Sequence, residues 1–391
     1  MTKSLPNALG ELGRPKEPMK VLITGGAGFI GARLATRLLN QGHAVRILDN
    51  LHPQVHGTNA APPAWMIDNC DVRVASITDA HAVRDAVREV DTIVHLAAET
   101  GPAQSMYEIE RYTANNIGGT SVLLQAILEH RDKIRRLVVA SSRAIYGEGK
   151  YRCFDDGVVY PDPRQDERLL RGRWEPVCPS CGQDVVSIAT DEGSLPKPTS
   201  IYAVNKLGQE QMFLVTGTAY SIPTISLRYQ NVYGPGQSLT NPYIGVLAIF
   251  SARIKAQSDI QIYEDGQESR DFVHVDDVVE ATLLAILSDR PGAEVYNVGC
   301  GQPVSLKAVA EKLAQAMGQS VPIEVSGRYR VGDIRHCYAD LTRITRDLHY
   351  RPRITLDEGL MDLAHWVQTQ ESFTNDLDKA TSELNKAGLF R

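Results

Sequence analysis

Tyr202 and Lys206 stand four residues apart in Tyr202-Ala-Val-Asn-Lys206, so on a helix their side chains share one face. A phenol titrates near ~10 in water, and an ammonium beside it favours the phenolate, which brings the tyrosine into range as a general base. That spacing alone is common. Pro198, just before Thr199-Ser200-Ile201-Tyr202, marks a helix start with Thr199 or Ser200 as the N-cap. Upstream, the apolar run Arg136-Leu-Val-Val-Ala140 leads into Ser141-Ser142. A serine at the end of such a strand can bond both a substrate hydroxyl and the tyrosine. Ser142, Tyr202 and Lys206 are the candidate catalytic set, suited to oxidising a hydroxyl and returning the hydride.

Such chemistry needs a hydride acceptor. Met19-Lys-Val-Leu-Ile-Thr-Gly-Gly-Ala-Gly-Phe-Ile-Gly31 reads as a buried strand running into a glycine turn. Gly26, Gly28 and Gly31 fit G-x-G-x-x-G, and Gly25 adds the G-x-x-G-x-x-G spacing. The turn must be tight, the backbone must approach a pyrophosphate, and the following helix must pack close while aiming its N–H groups at the phosphates. The next strand, Ala44-Val-Arg-Ile-Leu48, ends in Asp49, where a carboxylate grips the adenosine ribose hydroxyls. An acid there repels a 2′-phosphate and no arginine directly follows it, so the expected cofactor is NAD. Arg46 reads as a solvated or edge residue.

Strands are expected at 20–24, 44–48, 71–75, 92–96, 136–140, 223–228 and near 295–298, and helices over Gly31–Gln41, Ala80–Arg88, Glu110–Glu129 and Tyr202–Ala219. The alternation predicts an α/β fold, a Rossmann-type doubly wound parallel sheet with right-handed crossovers. At 391 residues the chain can bury a large core and add a smaller lobe. A net charge of −6 gives no sign of a polyanion-binding surface, so no nucleic-acid partner is expected. No apolar run is long enough to span a bilayer and the N-terminus has no apolar signal core, so no membrane partner is expected. Six cysteines in so large a chain argue against a disulfide framework and for a cytoplasmic enzyme.

The motifs together resemble the extended short-chain dehydrogenase/reductases of the NAD-dependent nucleotide-sugar epimerase/dehydratase family, from about Met19 to Trp366. His95-Leu-Ala-Ala98, Asn116-Ile-Gly-Gly-Thr120, Leu227-Arg-Tyr-Gln-Asn-Val-Tyr-Gly-Pro-Gly236 and Arg270-Asp-Phe-Val-His-Val-Asp-Asp277 carry the resemblance beside the glycine turn and the Tyr–Lys pair. It implies that NAD is held by Gly25, Gly28, Phe29, Ile30, Gly31, Asp49, Asn50, Ser76, Ile77, Leu96, Ala97, Ala98 and Asn116, with Tyr202 and Lys206. It implies a nucleotide-diphosphate sugar substrate met by Ser142, Asn231, Arg270, Arg330 and Asp333, the two arginines clamping the diphosphate and Asp333 on the nucleotide ribose. Arg270 and Arg330 have a second reading, as structural ion-pair partners. The implied organisation is a flexible leader at 1–18, an NAD-binding part at 19–230, a mainly substrate-binding lobe at 231–371 interleaved with the sheet, and a tail at 372–391 without an assigned role.

Departures from the family pattern narrow the reaction. Members that dehydrate a sugar carry Asp-Glu after the strand-end Ser or Thr, and decarboxylases keep the Glu; here those positions are Arg143 and Ala144. A guanidinium accepts no proton at neutral pH and a methyl group does no acid–base work. What remains is 4-epimerisation or a simple redox step. Arg143 itself reads either as part of the site or as a surface or loop-anchoring side chain. Ser76 replaces the family's usual adenine-contacting Asp, and Gln230 the aromatic before the substrate-binding Asn.

An insertion at about 150–197 separates the strand-end serine from the tyrosine. Its Cys178-Pro-Ser-Cys181-Gly182 has the shape of a zinc knuckle, with Cys153 as a third ligand and Asp156 or another group as a fourth. Structural zinc sites normally show four clear Cys or His ligands; the other reading is a packed, reduced thiol pair on a lid, and no metal is assigned. The insertion is placed to cover the sugar. Together with Arg143 and the segment 228–243, it resembles a subgroup of 4-epimerases acting on a deoxysugar carried by dTDP. Surplus apolar positions on the helices Glu110–Glu129 and Tyr202–Ala219, Val204 and Val215 among them, predict a homodimer through a four-helix interface.

Overall fold

The structure is a computed structural model describing residues 17–58, 60–241, 243, 245–371 and 377–391. All of the expected leader but Glu17 and Pro18, and residues 372–376 of the expected tail, lie outside the described residues.

Short β-branched runs build a seven-stranded, all-parallel sheet. Its strands are Lys20–Thr24, Ala44–Asp49, Asp71–Val74, Thr92–His95, Arg136–Ser142, Thr224–Tyr229 and Ala293–Val298, in spatial order 3-2-1-4-5-6-7 when counted along the chain. The first strand therefore lies between the second, with Thr24 opposite Leu48, and the fourth, with Thr24 opposite His95. Strand order reverses there, which opens a crevice at the carboxyl ends.

Side chains alternate across the sheet. Val21 and Ile23 join Leu34, Leu38, Val278 and Val279 on one face, under the helices Phe29–Asn40 and Val275–Leu287. Leu22 and Ile93 join Val83, Leu123, Ile127 and Phe213 on the other. Each such side chain contributes about 1.5–3 kcal/mol when fully buried. The helix Ile201–Tyr220 starts where Ser200 accepts from the Ala203 N–H at 3.2 Å and stops at Ser221, which has φ +56°. Of the two candidate caps, Ser200 is the one used.

Two local expectations are corrected. The helix over Glu110–Glu129 is interrupted by a π turn, Ala114–Gly118, between Ile109–Thr113 and Gly119–Glu129. Arg46 is buried rather than solvated: it donates to Asp71 at 2.7 Å and to the carbonyls of Ala86 at 2.9 Å and Arg88 at 2.6 Å. The carboxylate comes from the neighbouring strand and the carbonyls from the end of the helix Ala80–Val87, partners that no local pattern reveals.

Beyond Tyr229 a second lobe forms around its own core of Leu247, Phe250, Leu313 and Leu363. There Ser269–His274 pairs with Asn231–Tyr233, Pro303–Ser305 and His336–Cys337. The insertion folds as a small sheet, with Tyr151–Cys153 antiparallel to both Gly157–Val159 and Val186–Ser187. It is bolted to the second lobe by buried ions: Arg164 reaches Glu148 at 3.1 Å and Glu264 at 2.8 Å, and Arg335 reaches Glu264 at 3.0 Å. The chain's end returns to this lobe, the helix Leu377–Lys386 being followed by Phe390 opposite Arg330. Among the described residues no helix is long and apolar enough to cross a membrane.

Glu268, buried in this lobe, has one carboxylate oxygen without a partner. Burial first, then the Glu264 charge, raises its pKa to about 7. A carboxyl whose folded pKa is raised binds its proton more tightly when folded, so its contribution to stability grows as pH falls from about 7 towards its ordinary value. Glu268→Gln, which mimics the protonated form, is expected to raise the melting temperature by about 2–4 °C at pH 8 and to have little effect at pH 5. Thermal melts at the two pH values check this; equal shifts at both would contradict it.

Candidate functional site

Two adjoining cavities open at the carboxyl ends of the strands. One, of about 400 Å³, occupies the crevice beside the first strand; the other, of about 590 Å³, lies towards the second lobe. Pro102, Asn231, Tyr243 and Gly245 line both, so a long ligand in one meets a ligand in the other.

The smaller cavity is built on the glycine turn. Gly25 has φ +68°, and a Cβ there would stand 2.8 Å from the Ala97 nitrogen; at Gly31 it would stand 2.6 Å from the Gly25 oxygen. Either methyl group would collide with neighbouring backbone, so only glycine lets the turn stay tight and the helix pack close enough to present its N-terminus to a pyrophosphate. Asp49 closes the far end. Its carboxylate accepts from the Ala27 N–H at 3.0 Å and the Leu51 N–H at 2.9 Å, and a carboxylate so held keeps lone pairs for ribose hydroxyls. The residues present thus fit a dinucleotide.

Gly25, Gly28, Phe29, Ile30, Gly31, Asp49, Asn50, Ile77, Leu96, Ala97, Ala98 and Tyr202 all line this cavity. Ser76, Asn116 and Lys206 are not among its lining residues. The Ser76 hydroxyl pairs with Thr78 at 2.8 Å, while Ala75 and Ile77 form the wall. Asn116, on the π turn, accepts from the Glu99 N–H at 2.7 Å and donates to the Glu99 carbonyl at 3.1 Å. Its amide shapes the loop that follows Ala98, which is a positioning role.

Tyr202 and Lys206 do share one helix, anchored by Ser105, whose hydroxyl accepts from the Tyr202 N–H at 3.0 Å. Burial pushes the Tyr202 phenol above its ordinary value, while the Ser142 hydroxyl and the Arg143 charge pull it down. Ser142 also caps the turn Arg143–Tyr146, accepting from the Ala144 N–H at 3.1 Å. Lys206 is buried and donates to Gln209 Oε1 at 2.8 Å. Burial lowers its pKa to about 7, against the Glu210 charge. His95, on the neighbouring strand, is lowered to about 3 by burial and then by Lys206. The expectation that the Lys206 ammonium tunes the phenol is therefore modified. The charge acting on Tyr202 in this structure is Arg143, and Lys206 is turned to Gln209.

The larger cavity is lined by Arg143, Asn231, Arg270, Arg330 and Asp333. Asp333 receives Arg330 at 2.8 Å and Arg270 at 3.2 Å. Burial would raise its pKa, but the charges of Arg330, Arg270, Arg164 and Arg143 overcome that and hold it far below the usual carboxylate range. Both readings of Arg270 and Arg330 thus describe the same groups: they pair with Asp333 and still face the cavity. Arg143 makes no ion pair among the described residues; burial first, then Arg270, lowers its pKa to about 10. The buried Asn231 oxygen and Arg330 Nε have no protein partner, as expected of groups kept for a ligand.

One feature went unread in the sequence and one expectation is corrected. The tail contributes Thr381 and Leu384 to the larger cavity; the apolar spacing of Leu377–Lys386 was its only signal. The insertion, expected over the sugar, does not line the larger cavity: none of residues 150–197 is among its lining residues. It packs instead behind the loop bearing Arg330 and Asp333, where Arg164 donates to the Asp333 carbonyl at 2.9 Å.

Residues 21–166 and 178–299 match the NAD dependent epimerase/dehydratase family. The chain is 37% identical over 350 residues to a dTDP-L-rhamnose 4-epimerase of Burkholderia thailandensis, covering 89% of this chain and 94% of that protein. UDP-glucose 4-epimerase of Thermotoga maritima, solved with UDP-glucose, superposes with a TM-score of 0.72 at 28% identity, over 90% of this chain and 99% of that one. UDP-glucose 4-epimerase of Thermus thermophilus, solved with NAD, gives 0.71 at 26% identity over 90% and 100%. The chain belongs to the NAD dependent epimerase/dehydratase family, and NAD is its cofactor.

Removing the Arg143 charge should raise the pKa of Tyr202, since a neighbouring cation favours the phenolate. Arg143→Met is expected to move the acidic limb of the activity profile up by about one pH unit. A pH–rate profile of the variant checks this; an unmoved limb would remove Arg143 from the tuning of Tyr202.

Proposed function

We propose that this member of the NAD dependent epimerase/dehydratase family is a nucleotide-sugar 4-epimerase, interconverting dTDP-L-rhamnose and dTDP-6-deoxy-L-talose for surface polysaccharide. The observation that carries the reading is the combination of Ser142, Tyr202 and Lys206 with Arg143 and Ala144 immediately after the serine. The site keeps the groups for oxidising and re-reducing C4 and offers no carboxylate there for eliminating water or acting on C5. The choice of base and sugar rests on the 37% identity to the dTDP-L-rhamnose 4-epimerase; a UDP-hexose or UDP-uronate epimerase would use the same catalytic residues.

In this reading the glycine turn and Asp49 hold NAD, which when bound supplies an acceptor for the C4 hydride and gives it back. Tyr202, as phenolate, accepts the O4 proton as the C4–O4 bond becomes a carbonyl, and Ser142 orients that oxygen. Arg143 and Lys206 supply positive charge to that end of the site. Asn231, Arg270 and Arg330 hold the diphosphate while the 4-keto sugar turns over, and Asp333 positions the two arginines and meets the nucleotide ribose. Tyr202 then returns its proton to O4 as the C4–H bond forms on the opposite face.

The purified chain, incubated with dTDP- and UDP-sugars and no added NAD, is expected to equilibrate dTDP-L-rhamnose with its C4 epimer. Tyr202→Phe keeps the ring but loses the base, so turnover should fall by ~10²–10⁴. Epimerisation of UDP-sugars alone would replace the substrate assignment, and near-normal turnover by the variant would falsify the mechanism.

The active form in this account is a homodimer. Ile109, Val204 and Val215 are about half exposed or more, at 50%, 50% and 64%, and the insertion leaves the two valines uncovered. The valines lie on the helix Ile201–Tyr220 and Ile109 on the short helix before the π turn, while Leu123, Ala126 and Ile127 of Gly119–Glu129 lie in the sheet's core. A second copy can bury the exposed three in a helical interface. Light scattering at micromolar concentration should give twice the 43.0 kDa of one chain; a single chain mass would refute it.

A further inference from the structure

The insertion has a core too small to hold itself together by apolar packing. Tyr151, Cys153, Val159, Cys178 and Val185 make up the buried cluster, and two of those five are thiols. Two turns face each other across it. The first runs from Cys153 through Asp156 to Gly157, which has φ +73°. The second, Cys178-Pro-Ser-Cys181-Gly182, is closed by the Gly182 N–H on the Cys178 carbonyl at 2.9 Å and the Cys178 N–H on the Gln183 carbonyl at 2.8 Å.

The turns bring three sulfurs and one carboxylate oxygen within 4.8 Å of one another. Asp156 Oδ2 lies 3.1 Å from Cys178 Sγ and 3.5 Å from Cys153 Sγ, and Cys153 Sγ lies 3.5 Å from Cys181 Sγ. A tetrahedral zinc with Zn–S of about 2.3 Å and Zn–O of about 2.0 Å has S···S edges of about 3.8 Å and S···O edges of about 3.5 Å. These three edges equal or fall slightly short of those of such a tetrahedron, and the other three lie within 4.8 Å. They are far from the ~2.05 Å of a disulfide, and all six cysteines are free. Soft thiolates in the majority select zinc over the hard, oxygen-seeking cations.

We propose that Cys153, Asp156, Cys178 and Cys181 form a structural zinc site that fastens the insertion. Its consequence reaches the substrate cavity. Glu175, three residues before Cys178, binds Arg335 at 2.7 Å and His336 at 3.1 Å, and Trp174 packs edge-on against Tyr329 at 6.2 Å. These contacts brace the loop that carries Arg330 and Asp333. The zinc site stands without the proposed reaction; only its effect on substrate binding rests on that reading.

Untagged full-length protein, dialysed against metal-free buffer, should contain about one zinc per chain by mass spectrometry. Cys178→Ser and Cys181→Ser should each lower that content about tenfold or more, while Cys70→Ser keeps it. Protein produced with cobalt should show a thiolate-to-cobalt absorption band that Cys181→Ser, at the exposed ligand, abolishes; this reading survives if Cys178→Ser fails to fold. Metal-free wild-type protein, or zinc retained in both serine variants, would overturn the site. Zinc-depleted Cys181→Ser should raise KM several-fold with kcat within about twofold. Loss of zinc with an unchanged KM would overturn the link to the loop, and an inactive wild type that still holds zinc would count against the reaction rather than the site.

Discussion

Asp333 sits among the guanidinium groups of Arg143, Arg164, Arg270 and Arg330, all of which lower its pKa, and the rest of the site is arranged around that pairing. A cation taken out of water costs several kcal/mol unless it is paired (roughly, after relaxation). Asp333 answers two of the arginines directly, and Arg164 is answered from behind by Glu148 and Glu264. Arg143 is left facing the cavity without a carboxylate of its own. Among the residues lining the larger cavity, Arg143, Arg253, Arg270, Arg328 and Arg330 outnumber Asp259 and Asp333, and that excess fits a diphosphate, which arginine recognises in a bidentate manner. The buried ions that tie the insertion to the second lobe thus also set the charge of the substrate cavity.

The same economy governs the reacting end. Lys206 and His95 are both desolvated, and each has its pKa lowered by burial. The imidazole stays neutral, bridging Thr24 at 2.7 Å and Thr120 at 3.0 Å, so only one cation needs to be held beneath the cofactor cavity. Tyr202 then takes its positive charge from Arg143, on the turn after Ser142, while Lys206 on its own helix is held by Gln209. Arginine and alanine at positions 143 and 144 place a cation, and no proton acceptor, directly after Ser142.

Where the chemistry is local, the sequence showed it. The glycine turn, Asp49 and the Tyr–Lys pair depend on spacings within one strand–turn–helix or one helical turn; the structure brings the glycines, Asp49 and Tyr202 to the crevice and buries Lys206 against Gln209. All seven strands of the sheet were legible for the same reason, as short apolar runs between turn signals. Partners set by distant segments were not legible. The carbonyls that bury Arg46, the Glu99 backbone that occupies Asn116, and the return of the tail to Arg330 all join residues far apart in the chain. The insertion lay between these cases: its Cys-Pro-Ser-Cys turn was plain and Cys153 and Asp156 were candidates to join it, while their distances to it are set by the fold. Its expected place over the sugar gave way to a place behind the loop.

The central claim is that C4 is oxidised and reduced with its own hydrogen, and that no group in the site acts on C3 or C5. The most direct test is epimerisation in deuterium oxide, followed by mass spectrometry and NMR of the sugar. A 4-keto intermediate acidifies the hydrogens on its neighbouring carbons, so any base placed to reach them would leave a record of exchange. The account predicts a C4-epimerised product with no solvent deuterium on any sugar carbon; deuterium at C3, C4 or C5 would contradict it.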